Sequence, residues 1–109
     1  MVIIYKMVKV VIRNSTNAKK KLTAIFYEKG KDGKYKKKKT THFGQRGADD
    51  YTITGDKEQR ARYIKRHTNN RENWNNYMSA GSLSRFILWG DSKSKSANIA
   101  SYKKRFNLE

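Results

Sequence analysis

The sequence predicts an α+β fold, a small antiparallel sheet of about three strands in the first half packed by about three helices in the second. Three observations predict it. β-Branched and alternating apolar residues crowd the first forty-odd positions, punctuated by asparagine- and glycine-bearing turns. After Asp56 the apolar residues change to helical spacing. No internal repeat is present, and strands followed by helices describe a sheet covered on one face. At 109 residues the chain has room for one domain with a single modest core: β-rich over 1–43, a loop over 44–55 and helical over 56–109.

The elements follow in order. Met1 to Ile12 is apolar in patches, but Lys6 and Lys9 interrupt it, so it reads as strand and not as a signal or an anchor. Within it, Met7 to Arg13 puts Val8, Val10 and Ile12 on one face and Lys9 and Arg13 on the other. Asn14-Ser15-Thr16-Asn17 is a turn cluster. Leu22 to Tyr27 is the second strand, Leu22, Ala24 and Phe26 alternating with Thr23, Ile25 and Tyr27. Lys29-Gly30-Lys31-Asp32-Gly33 turns the hairpin, and Tyr35 to Phe43 is the third strand. Strict alternation there sets Lys37 and Lys39 on one side and Lys36 and Lys38 on the other, which suits an edge strand.

Gly44 to Gly55 is expected to be a loop. Asp56 then caps a helix running to about His67, with Gln59 as its capping-box partner and Ala61 and Ile64 as a narrow apolar stripe flanked by Tyr63 and His67. A second helix is expected from Ala80 to Trp89, stopped by Gly90, and a third from Lys95 to Phe106. Trp74, Phe86, Trp89, Tyr102 and Phe106 are expected to be mainly core.

Charge is the dominant compositional fact. Lys and Arg number 26 against 9 Asp and Glu, a formal net charge of +17. Self-repulsion on that scale opposes compaction and calls for a polyanion or an acidic protein surface. The run Lys36-Lys37-Lys38-Lys39 lies inside a strand, and protecting an edge needs only one or two lysines, so the run reads as a contact surface. Arg46 and the helical cations Arg60, Arg62, Lys65 and Arg66 extend it. Nucleic-acid phosphates fit that chemistry. Tyr35, Phe43, Tyr51, Tyr63 and Trp74 could stack on unpaired bases, although a core role for most of them is favoured. No zinc-finger, RNA-recognition or helix-turn-helix pattern is present, so contact with backbone is expected and base readout is not.

Other chemistries find little support. There is no cysteine, hence no disulfide framework and no thiolate metal site. His42 and His67 lack metal-ligand spacing. The loop from His42 to Gly47 could cradle a phosphate with Arg46 as clamp, but two glycines three apart describe a structural turn better. Asp49, Asp50, Asp56 and Glu58 could hold Mg²⁺ for a nuclease, a remote alternative, since Asp56 is the better helix cap. No catalytic residue, metal, cofactor or small-molecule substrate is expected. Membrane contact is disfavoured, for want of a basic amphipathic helix with a broad apolar face.

The segment from Thr40 to Phe106 resembles a family of short basic proteins of uncharacterised function in large nucleocytoplasmic DNA viruses, the mimivirus and chlorella-virus groups. The likeness rests on Thr41-His42-Phe43-Gly44, Asp50-Tyr51-Thr52, Asp56-Lys57 through Arg60, Tyr63-Ile64 and Arg66-His67. It continues in Glu72-Asn73-Trp74, Ser79-Ala80-Gly81, Leu83-Ser84-Arg85, Ile87-Leu88-Trp89, Tyr102-Lys103 and Arg105-Phe106. The resemblance implies a viral setting and carries over no activity. The leading expectation is a non-catalytic virion structural protein, a minor capsid or internal component binding acidic surfaces of neighbouring capsid subunits. The alternative is a sequence-independent DNA-binding, condensing protein. Either would act in the virion, and in host cytoplasm or nucleus during assembly.

Overall fold

The computed structural model describes residues 7–70 and 73–109, so the Met1–Lys6 part of the strand expected over Met1 to Ile12 lies outside the described residues. Three strands form an antiparallel meander in the order β1 (Val8–Asn14), β2 (Lys20–Lys29), β3 (Tyr35–Gln45). The helical half contains α1 (Tyr51–Thr54), α2 (Lys57–Asn69), α3 (Ala80–Leu83) running directly into a π-turn (Ser84–Leu88), and α4 (Lys95–Arg105). This is the α+β arrangement predicted.

The sheet forms where alternation requires it. Val8 and Val10 pair beside Glu28 and Phe26, and Leu22 and Ala24 beside Phe43 and Thr41, so one face is apolar across the three strands. That face meets Leu83, Ile87, Leu88, Trp89 and Tyr102 in a single core. Beyond the Phe26 level, the β2–β3 hairpin continues with exposed residues only from Lys29 to Thr40. Its tip is closed by Gly33 N–H donating to Gly30 O, with Gly33 at φ 78°, a left-handed conformation that glycine adopts without strain. At the other margin, Asn107 (φ 54°) ends α4 and turns the chain, so that Glu109 exchanges two 2.9 Å backbone hydrogen bonds with Val8 and Val10 of β1.

Several details depart from expectation. The loop over 44–55 contains α1, a single turn capped by the buried Asp50, whose carboxylate accepts from Thr52 N–H and pairs with Lys21 Nζ at 2.6 Å. Four residues are too few to show a period. The face that anchors α2 is not Ala61 and Ile64, since Ala61 is exposed. Tyr63 anchors it, stacked on Trp89 at 4.3 Å between ring centroids, with His67 on the same side. Asp56 caps α2 as expected, but Gln59 accepts from Thr54 Oγ1 and does not return to the cap N–H. Gly90 does not act as a left-handed stop: a Cβ there would lie 2.4 Å from Phe86 O and 2.6 Å from Asn98 Cγ, so the close approach of α4 requires glycine. Trp89 and Tyr102 are core, Phe86 and Phe106 pack at its margin, and Trp74 lies half-buried outside it against Arg85.

Candidate polyanion-binding surface

Register determines where each lysine of β3 points. Ile25 pairs with Thr40 and Phe26 with Lys39, but Tyr27 pairs with Lys37, leaving Lys38 as the extra residue of a β-bulge. Strict alternation therefore fails. Lys39 and Lys36 share the face of Phe26 and Glu28, while Lys37 shares the opposite, outer face with Tyr27 and Lys9. Lys38 reaches Glu28 at 2.7 Å, and that carboxylate holds its ammonium above the usual lysine range. Lys36, Lys37 and Lys39 are exposed and have no acidic partner among the described residues.

The outer face of the sheet carries cations toward both ends, separated by an uncharged row. Cross-strand rows read Lys9–Tyr27–Lys37, Val11–Ile25–Thr40 and Arg13–Thr23–His42. Tyr35 lies on this side with the ammonium groups of Lys9 and Lys29 at 5.7 and 5.9 Å from its ring centre, and its hydroxyl donates to Glu109. That hydrogen bond raises the Tyr35 pKa. His42 Nδ1 sits 2.7 Å from Thr23 Oγ1 and 3.1 Å from Ser15 Oγ, which ties β3 to the β1–β2 turn. Of the five rings considered for stacking on bases, Tyr35 alone is exposed; Phe43 and Tyr51 are buried, and Tyr63 and Trp74 are half-buried.

The remaining expected contact residues divide. Arg46 directs its guanidinium to Lys20 O (3.1 Å) and Ser15 O (3.4 Å), stapling the β3 end to the β1–β2 turn. Its own N–H bonds Lys19 O, so the supposed phosphate cradle is engaged by the fold. Arg60 is half-buried and bonded to Trp89 O, Gly90 O and Asp91, which makes it a clamp between α2 and the π-turn. Arg62, Lys65 and Arg66 are exposed on α2 without acidic partners among the described residues. Arg66 lines the same groove as Gln45, and Gln45 stands about 26 Å along β3 from Lys37 at ordinary strand rise. The cations therefore form two patches, not one. Lys9, Arg13 and Lys29 belong to the sheet patch and were absent from the expected set, although the alternation of β1 announces Lys9 and Arg13.

No three His, Cys, Asp or Glu side chains gather to hold a metal among the described residues. Asp50 is engaged by Lys21 and Thr52, and Asp56 by the first amides of α2. No helix among the described residues is long and apolar enough to cross a membrane.

The model of a family of unknown function, DUF5754, matches residues 10–67, just over half of the chain. The chain belongs to that family. No curated protein and no solved structure matches it. The DUF5754 segment takes in the three strands from Val10 onward, α1 and α2 as far as His67. All nine expected contact residues lie inside it, whereas the π-turn and α4 lie outside. The DUF5754 match and the viral resemblance overlap only over residues 40–67.

Proposed function

We propose that this protein is a non-catalytic binder of nucleic-acid phosphate backbone that does not read sequence, using the β2–β3 hairpin and the outer face of the sheet. One observation carries the reading: Lys36, Lys37 and Lys39 are exposed and unpaired among the described residues, on a bulged strand whose one exposed aromatic, Tyr35, is already held by Glu109 and flanked by Lys9 and Lys29. The exposed large apolar side chains among the described residues are Met7, Tyr35 and Ile53. Protein interfaces centre on buried aromatic and aliphatic residues and are depleted in lysine, whereas a phosphate backbone needs only spaced cations. Shape supports the same reading, since a two-stranded ribbon fits the major groove of a duplex.

The second reading, a minor capsid or internal virion protein seated on acidic surfaces of neighbouring subunits, uses the same lysines. Its support is the edge position of β3, which could accept a further strand. The depletion of apolar anchors moves it behind the nucleic-acid reading. The likeness to proteins of large DNA viruses makes packaged DNA the occupant we propose, in the virion and in the host cytoplasm or nucleus during assembly. Fluorescence anisotropy against a random-sequence duplex and against polyglutamate, each across a salt series, tests the choice. A duplex affinity that falls linearly with the logarithm of salt, and exceeds that for polyglutamate at every salt, is expected. Tighter binding to polyglutamate would overturn it in favour of the capsid reading.

A further inference from the structure

On the helical side of the molecule, away from the sheet's outer face, a cavity of about 330 Å³ opens between the π-turn and α4. Arg85, Phe86, Ser101, Lys104 and Arg105 line it, with Asp91 at its margin. Three features of this cavity are not explained by packing. Arg85 Nη1 donates to Trp89 O at 3.1 Å, but its Nε is buried and has no acceptor among the described residues. A buried charged donor without an acceptor is costly. Arg105 lays its guanidinium on the Phe86 ring at 4.4 Å and has no carboxylate among the described residues. The Arg85 guanidinium lies over the same ring at 5.2 Å, so two cations converge on one phenyl group. Asp91, the one carboxylate lining the cavity among the described residues, is paired with Arg60 at 2.6 Å.

The backbone here is also unusual. Trp89 N–H donates to Ser84 O, the wide bond of a π-turn, and such turns cost helical stability and concentrate at functional sites. Burial first, and then the fields of Arg60 and Arg105, push the Arg85 pKa below the ordinary arginine value. An anion in the cavity would offset the crowding of the Arg85 and Arg105 charges.

We propose that this cavity is a discrete site for a phosphate monoester, held by Arg85 and Arg105 as paired forks with Lys104 and the Ser101 hydroxyl beside them. Two arginines and a lysine facing no free carboxylate match a doubly charged oxyanion better than a single negative charge, and guanidinium forks match its bidentate geometry. The volume admits the phosphoryl group with part of the group esterified to it. The site stands independently of the sheet surface and lies outside the segment matched by the family.

The test follows the side-chain Nε–H signal of Arg85 by ¹H–¹⁵N NMR, assigned through Arg85→Lys, as inorganic phosphate is added at constant ionic strength. A saturable downfield shift is expected, with affinity reduced about tenfold or more in Arg105→Gln and unchanged when Lys36, Lys37 and Lys39 are all glutamine. Lys104→Gln, at an exposed position, serves as a second variant if the amide spectrum shows Arg105→Gln to be unfolded. A shift that never saturates, or one untouched by both Arg105→Gln and Lys104→Gln, would overturn the site. Dinucleotides separate the sources. Binding by a 5′-phosphorylated dinucleotide and not by its 5′-hydroxyl counterpart supports a strand end, and binding by phosphate alone supports a free small phosphomonoester. Equal binding by both dinucleotides would overturn the monoester assignment.

Discussion

Neutralising the three unpaired hairpin lysines is the most direct challenge to the proposed function. In Lys36→Gln/Lys37→Gln/Lys39→Gln the fold should persist, because all three side chains are exposed and none is bonded within the described chain. Lys38 is left alone because it is paired with Glu28. Each phosphate contact contributes a salt-dependence slope near 0.9, so losing three should lower the slope by about 2.7. At about 0.1 M salt that corresponds to an affinity for random duplex about 500-fold weaker, if the salt-independent part is unchanged. Anisotropy titrations at four or more salt concentrations give both quantities. The control carries the same loss of three charges elsewhere, at the exposed Lys57, Lys93 and Lys95. If the two triple variants weaken binding equally, the protein binds as a diffuse cation and the hairpin is not its contact surface. If the slope of the hairpin variant falls by less than one, the reasoning from unpaired lysines is refuted.

Three further outcomes test the fold that holds this surface. Asn98 is buried and makes three hydrogen bonds, donating to Ile87 O (2.8 Å) and Ser92 O (2.7 Å) and accepting from Ser92 N–H (3.0 Å), so Asn98→Ala should cost about 3 kcal/mol in urea unfolding. Burial holds the Tyr102 phenol well above its ordinary 10.0 in the folded state, so its contribution is complete below pH 10 and is lost as pH rises beyond it. Relative to Tyr102→Phe, which should lose about 1 kcal/mol at pH 7, the wild type should give back about 1.4 kcal/mol per pH unit above 10, so that the two cross near pH 11. Deleting Lys38 should leave a regular ladder with every other pair intact and stability within about 1 kcal/mol of wild type, whereas deleting Thr23 from the unbulged β2 should abolish cooperative unfolding; thermal melts followed by circular dichroism distinguish them.

The parts of this structure that were legible in the sequence are those set by local pattern. Val8/Val10 and Leu22/Ala24/Phe26 alternate because one face of the sheet meets the core, and Asp56 precedes its helix because the first amides need an acceptor. What escaped was set by partners far along the chain. Ala61 and Ile64 looked like the packing stripe of α2, but the ring that receives the helix is Trp89, which sequence spacing cannot connect to Tyr63. Arg46 and Arg60 read as free cations, yet carbonyls of Ser15, Lys20, Trp89 and Gly90 occupy them. The bulge was invisible for a different reason. Four identical lysines carry no information about which of them is extra, so the register of β3 is decided by Thr41 and Phe43 on one side and by the glycine turn on the other.

That bulge bears on how a chain of +17 holds together at all. Lys39 pairs with Phe26 on the core side, where Phe26 lies against Tyr77, yet the Lys39 side chain stays exposed. The bulge falls between Phe26 and Tyr27, where the core ends, and Glu28 meets Lys38 just beyond it. The lysine-rich part of β3 thus begins where burial stops, so its charges remain solvated and their mutual repulsion is screened by water and salt. Stability is supplied by the half of the hairpin nearest the helices and the free cations are carried by the other half. Removing those cations should therefore cost binding and leave the core untouched, which separates the two roles along a single strand.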